Sequence, residues 1–254
     1  MAQNFLCLND DKTEVVLFAS PYFQKRINIP HVSIGNDQIY PTVEAKNIGF
    51  IFDNVMNGKK QISAICKAGW FHIRNIGNMR RYLDKSSTER LIHAYISSKL
   101  DVNNALLYGL PDYLIKKLQR LQNAAARMVM QAPKHCHITP ILKDLHWLSI
   151  RSRMHFKVLL TVYKALHGLA PIYISDLLVR RQSSYRSTRS CEGNMLIVPP
   201  TKDMTVTWGE RNFIYVGPYL WNQLPANIRN CVTLDSFKTR LKTCLFRDAF
   251  ELDN

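Results

Sequence analysis

From Lys59 onward the apolar residues stop alternating and recur at steps of three and four, and this change of period constrains the fold more than any other feature. Ile62, Ile65, Gly69, Ile73 and Ile76 lie on one stripe, which predicts a helix over residues 59–82. Ser86-Ser87-Thr88-Glu89 has the form of a capping box, the Ser86 hydroxyl accepting from the Glu89 amide, and predicts a second helix reaching residue 100. A third is expected over 112–131, with Leu114, Leu118, Leu121 and Ala125 on one face. Thr139-Pro140 reads as a helix start. Residues 150–166 read as a further helix stopped by Gly168 and Pro171. Thr233 is expected to cap the last helix, which carries Phe237, Leu241 and Leu245 at i, i+4 and i+8.

Ahead of Lys59 the reading is β. Residues 15–18, Val-Val-Leu-Phe, form a short strand, and 31–40 alternate around Gly35-Asn36-Asp37, residue types that supply a hairpin turn. Residues 46–52 give a third strand. So few strands are too little sheet to be stable alone, and the segment is expected to be the margin of a larger sheet. Residues 180–194 form a polar, Ser- and Arg-rich connection, and two late strands are expected at 195–198, ahead of Pro199-Pro200, and at 212–216. The fold class this predicts is α+β, with boundaries at 1–57 (β), 58–132 (helical) and 133–254 (helical and mixed).

Charge points to a class of partner. The chain holds 34 Lys and Arg against 19 Asp and Glu, a net +15, and residues 110–190 hold 14 against 3. Such an excess favours a polyanion through Coulomb attraction and counterion release. An anionic membrane surface, or no polyanion at all, are the other readings of charge taken alone. On the 112–131 helix Lys116, Lys117, Arg120 and Arg127 fall mostly opposite the leucines. The next long helix adds Arg151, Arg153, Lys157 and Lys164, interleaved with His155 and Tyr163. Basic side chains on helices meet phosphates, and aromatics beside them stack on exposed bases. One such helix reads equally well as a solvated face, but two in succession favour binding of RNA or DNA without sequence preference.

Other chemistries find little support. There is no Gly-x4-Gly-Lys-Ser/Thr loop, no Gly-x-Ser-x-Gly elbow, no His-Glu-x-x-His and no Gly-x-Gly-x-x-Gly. His135-Cys136-His137 with His146 nearby invites a zinc site, yet adjacent residues do not readily aim at one ion and the spaced ligand pairs are missing. A polar loop is the better reading. Asp10 and Asp11 are consecutive, so on a strand they point to opposite faces. The six cysteines form no Cys-x-x-Cys pair and read as reduced thiols of an intracellular chain, nuclear or cytoplasmic. No apolar run approaches the ~20 residues of a membrane helix, and the start carries no recognisable targeting pattern. No cofactor, metal or small-molecule substrate is expected.

Several motifs are more specific. Asn9-Asp10-Asp11-Lys12-Thr13-Glu14 resembles the end-of-palm motif Asn-x-x-Lys-Thr-Glu of LINE-type (non-LTR retrotransposon) reverse transcriptases. Lys46-Asn47-Ile48-Gly49-Phe50-Ile51-Phe52-Asp53 is similar to the primer-grip strand that follows it in those enzymes. Ser97-Ser98-Lys99-Leu100-Asp101, Asn104 to Pro111 and the run QRLQNAAAR from Gln119 to Arg127 resemble their thumb. The runs 137–148, 163–171 and 221–225, then Phe237-Lys238 with Leu241-Lys242-Thr243, continue the likeness in order along nearly the whole chain. The resemblance implies an RNA-directed DNA polymerase whose thumb and C-terminal region hold template and primer. It assigns 1–57 to the end of the palm, 58–132 to a thumb and 133–254 to the C-terminal region, and it adds Lys12 and Lys46 to the nucleic-acid contacts. The family's Phe/Tyr-Ala-Asp-Asp and earlier palm aspartate would lie upstream of Asn9, and its endonuclease domain is missing. Two-metal transfer needs those carboxylates to hold ions about 3.5–4 Å apart. The expectation is therefore a truncated, nucleic-acid-binding reverse-transcriptase remnant that is not itself an enzyme. A decayed transposon product or a co-opted protein-interaction module are the alternatives. At Val102-Asn103 the chain departs from the family's Tyr followed by Cys or Gly.

Overall fold

Strand-forming residues in the N-terminal segment are broken every few positions by Gly, Pro or Asn, and the strands they form are short. The structure, a computed structural model, describes residues 9, 12–27, 29–34, 37–181, 194–200 and 209–250. The elements begin with β1 (Val15–Val16), α1 (Pro21–Gln24), β2 (Val32–Ile34), β3 (Asp37–Ile39), β4 (Pro41–Thr42), β5 (Glu44–Asn47) and β6 (Phe50–Asp53). They pair as three two-stranded sheets: β1 with β4 in parallel, β2 with β3 and β5 with β6 antiparallel. The hairpin expected over 31–40 is present with Val32 opposite Ile39. The single strand expected over 46–52 is instead two arms of a hairpin that turns at Ile48 and Gly49. Both residues have positive φ, 46° and 78°, as a two-residue type I′ turn requires. A β-branched residue is strained there, and Ile48 stands 86% exposed.

The chain folds as two compact units, residues 1–68 and 69–254, with the boundary inside α2 (Lys59–Met79). In the first unit the start of α2 is fastened to β6. The buried Asp53 carboxylate accepts from the Asn57 and Gly58 amides, each at 2.9 Å, and Gln61 Oε1 accepts from the Ile51 N–H at 3.0 Å. The Gln24 side chain joins α1 to the same region by donating to the carbonyls of Ala19 and Asn54.

The second unit is helical. After α2 and a 3₁₀ turn (Arg80–Tyr82) come α3 (Lys85–Ile92), a π-helical turn (His93–Ser97), α4 (Ser98–Asp101) and a 3₁₀ turn (Asn104–Leu107). Then follow α5 (Asp112–Met130), α6 (Ile138–Asp144), α7 (Ile150–Leu166), α8 (Ile172–Ser175), α9 (Phe213–Gln223), α10 (Ala226–Arg229) and α11 (Leu234–Phe250). The cap of α3 is Asp84 rather than Ser86: its Oδ1 accepts from the Ser87 amide at 2.8 Å, so the helix starts before the expected box. The hydrogen bonds from Ser87 also hold the Asp84 carboxyl below its ordinary pKa. α6 starts at Ile138, ahead of the Thr139-Pro140 pair.

Neither late strand forms among the described residues. The Asn212 side chain accepts from the Ile214 amide at 3.1 Å and opens α9, so 212–216 is a helix start. Residues 195–198 make one bridge, Leu196 to Arg180. The Asn222 amide stands in for a strand partner, accepting from the Leu196 N–H at 2.9 Å and donating to the Leu196 carbonyl at 2.8 Å. Among the described residues helix takes 59% and strand 9%, so the α+β class holds with helix dominant.

The second unit is built around α7, which packs against α5, α8, α9 and α11. Its Tyr163 stacks on Phe237 of α11 with ring centroids 4.2 Å apart, and Trp221 of α9 closes the group 5.8 Å from Phe237. All three rings are fully buried, and their polar atoms are matched: Tyr163 Oη donates to the Cys231 carbonyl and Trp221 Nε1 to that of Asn194. On α5 the leucines expected to face inward do so; Leu118 and Leu121 are wholly buried. Gly69 of α2 lies so near Leu121 that a Cβ there would come within 2.4 Å of its Cδ2. Arg80 reaches along to the end of α5, Nε donating to the Met128 carbonyl at 3.0 Å and Nη2 to that of Val129 at 3.2 Å, at the terminus where a helix leaves its carbonyls unpaired.

Candidate nucleic-acid interface

A helix advances ~100° per residue, which places Lys116 and Arg120 on the outer face of α5, opposite Leu114, Leu118 and Leu121, with Lys117 on the flank between that face and the leucines. All three are exposed, and no hydrogen bond or ion pair holds their charged groups to the described protein. Arg127 shares their side of the helix, but its guanidinium turns inward. Nη2 donates to the Cys136 carbonyl at 3.0 Å and pins the loop that follows α5. This loop carries His135, Cys136 and His137, and among the described residues no group of three or more His, Cys, Asp or Glu could hold a metal ion.

The four cations of α7 do not form one face. Arg153, Lys157 and Lys164 lie within ~40° of one another, and Arg151 lies on the far side, ~120–160° away. Arg153, with 15% of its side chain exposed, is spent on the fold: Nη1 pairs with Asp101 Oδ2 at 2.8 Å and Nε donates to the Leu148 carbonyl at 3.1 Å. Lys157 is exposed and Lys164 half-buried. Arg151 pairs with Asp112 at 2.6 Å, but both side chains are well exposed, 59% and 68%, so the pair contributes roughly 0–1 kcal/mol and yields easily to a competing anion. Lys12 and Lys46 are exposed in the N-terminal unit, Lys46 on β5, and belong to that unit alone.

Two grooves flank the start of α5. One, about 620 Å³, runs between α5, α6, α7 and the end of α11 and includes Lys116, Gln119, Asn123, Arg151 and Ser152. The other, about 360 Å³, is lined by Tyr108, His155, Tyr215 and Tyr219 together with Arg151, Arg211, Asp112 and Glu210. Asp112, Ile115, Arg151 and His155 line both, so the grooves meet at the Arg151–Asp112 pair. In the smaller groove burial, then the Arg151 charge, lowers the His155 pKa, which leaves a neutral ring at neutral pH. Burial and the neighbouring Tyr219 and Tyr215 raise the Tyr108 pKa.

Of this aromatic groove the sequence pattern singles out only His155 beside its basic neighbours. Tyr215 and Tyr219 carry an i, i+4 signal that a strand reading of 212–216 conceals, and Tyr108 and Arg211 meet through a fold no local pattern encodes. No described helix is long and apolar enough to cross a membrane. Compared with family models, curated proteins and solved structures, the chain matches none.

Proposed function

We propose that this chain is a nucleic-acid-binding segment of LINE-type reverse-transcriptase descent, corresponding to the end of the palm, the thumb and the C-terminal region. It holds RNA, DNA or their hybrid through phosphates with little sequence preference and does not polymerise. The observation that carries this reading is the outer face of α5, where Lys116, Lys117 and Arg120 stand exposed, without a charged partner among the described residues, on a helix whose other side is core. The ordered motifs from Asn9 to Thr243 support the descent. No Phe/Tyr-Ala-Asp-Asp run occurs in the sequence, and so the chain is expected not to extend a primer on an RNA template with Mg²⁺ or Mn²⁺.

The test is the salt dependence of binding. Log affinity should fall with log salt at about −0.7 to −0.9 per phosphate contact. Replacing Lys116, Lys117 and Arg120 by Gln should flatten that slope by about two units, nearly equally for unrelated sequences, at a stability cost of about 0.5 kcal/mol or less each. Arg153→Met, by contrast, should lower the melting temperature and leave the slope alone, because its charge is engaged inside the fold. A triple variant that melts normally and binds with an unchanged slope overturns the proposal. A second reading, a protein-interaction module, is favoured by the exposed Phe18, Tyr22, Phe23 and Tyr40 of the N-terminal unit. Capture of a protein partner insensitive to salt would decide for it.

A further inference from the structure

Four aromatic rings face the smaller groove, an arrangement that the phosphate-binding reading does not use. Tyr215 and Tyr219, one turn apart on α9, lie nearly parallel, with 11° between planes and 5.8 Å between centroids. Tyr108 and His155 form a second pair 5.6 Å apart. The groove, about 360 Å³, falls in the range of pockets for small organic groups, roughly 300–1,000 Å³. Its shape depends on close backbone approach: a Cβ on Gly109, at φ 70°, would come within 2.5 Å of Arg211 Cγ, whose own Nε donates to the Tyr108 carbonyl at 3.2 Å. Tyr219 remains 42% exposed, so a ring face is open to a ligand.

We propose that this groove stacks one unpaired base of a single-stranded nucleic acid whose backbone runs along α5. The inference rests on the nucleic-acid reading above and adds the kind of strand preferred. Aromatic faces accept any base, since every base presents a π-face. Arg151 lines both grooves and so joins the ring site to the groove of Lys116, giving the phosphate beside the stacked base a cation on the way. Its partner Asp112 is exposed, so a phosphate can take the guanidinium from it. The neutral His155 acts as a ring, and the carboxylates of Asp112 and Glu210, which also line the groove, balance Arg151 and Arg211. The groove itself therefore selects for a flat ring, while the net positive charge lies on the neighbouring helix face.

The experiment compares a short oligothymidine carrying one 2-aminopurine with a duplex of the same length, using the full chain over a salt series. The fluorescence of the 2-aminopurine should be quenched on binding. Tyr219→Leu should weaken single-strand binding about tenfold with an unchanged salt slope, because a stacking contact releases no counterion. Tyr219→Phe should restore the affinity, and duplex binding should not change. Arg151→Met, at an exposed position, should weaken single-strand binding and flatten its slope by about one unit. Unquenched fluorescence, or single-strand affinity unchanged in a normally melting Tyr219→Leu chain, would overturn the stacking site and leave the α5 interface standing. Failure of the unmodified chain to bind either oligonucleotide overturns both.

Discussion

A guanidinium counts as one positive charge wherever it sits, yet its neighbours decide whether a polyanion can use it. Arg127 and Arg153 are spent on the Cys136 and Leu148 carbonyls and on Asp101, while Lys116, Lys117 and Arg120 keep theirs outward. Residue type and helical spacing reveal which side of α5 is basic, but not which long side chains curl back, because the acceptors lie off the helix that carries the cation: Cys136 in the loop after α5, Leu148 ahead of α7 and Asp101 at the end of α4. The same scale holds a pH effect. His155 faces Tyr108, Tyr215 and Tyr219, with Arg151, Arg211, Asp112 and Glu210 around it, and burial followed by the Arg151 charge holds its pKa below the ordinary value near 6.5. As pH falls through 6.5 the unfolded chain takes up a proton that the folded one refuses, so stability is lost from there down to the folded pKa and then levels off. Urea melts of the unmodified chain and of His155→Gln should therefore diverge between neutral and mildly acidic pH, with the unmodified chain losing more on acidification. Parallel profiles would show that the imidazole titrates freely in the folded chain.

Two glycines on α2 separate propensity from packing. Gly77 has room, since an added Cβ would sit 3.5 Å from Met128 Cε, whereas the same atom on Gly69 would collide with the fully buried Leu121. Gly77→Ala should stabilise the fold by up to about 1 kcal/mol through helix propensity. Gly69→Ala gains the same propensity but forces a shift in a packed core that costs about 1–3 kcal/mol, and its net effect should be destabilising. Denaturant melts of the two variants should move in opposite directions, and equal stabilisation by both would mean that Leu121 yields without cost. The long helices α2, α5, α7 and α11 are legible in the sequence because each lays apolar residues on the core at helical spacing. Phe213-Ile214-Tyr215-Val216 has the composition of a strand, and what makes it helical is a cap from Asn212 and the burial of Val216, Leu220 and Trp221. Pro218 within the helix argues further against it. The Ile48-Gly49 turn is hidden because a β-branched residue with positive φ is the exception that propensity discounts.

At the scale of the molecule the two units are unequally furnished. The first has three two-stranded sheets and, among its described residues, only Ala19, Phe50, Ile62 and Ile65 as buried apolar side chains. Such sheets are marginal without a packed face. Hydrogen exchange should therefore find residues 12–54 far less protected than α5, α7 and α9; equal protection would mean that these hairpins draw on more stabilisation than their own burial supplies. The second unit contains the opposite device, the clasp of Arg80 on the end of α5. Its acceptors lie 48 and 49 residues further along the chain, so the contact forms only after that whole loop has been brought home. A contact of such long range is expected to form on the descent from the barrier. Removing it with Arg80→Met should quicken unfolding and leave refolding nearly unchanged, whereas slowed refolding alone would place the clasp in the folding nucleus. Its contribution is measured in lifetime: it sets how long the helical unit stays folded once it has arrived.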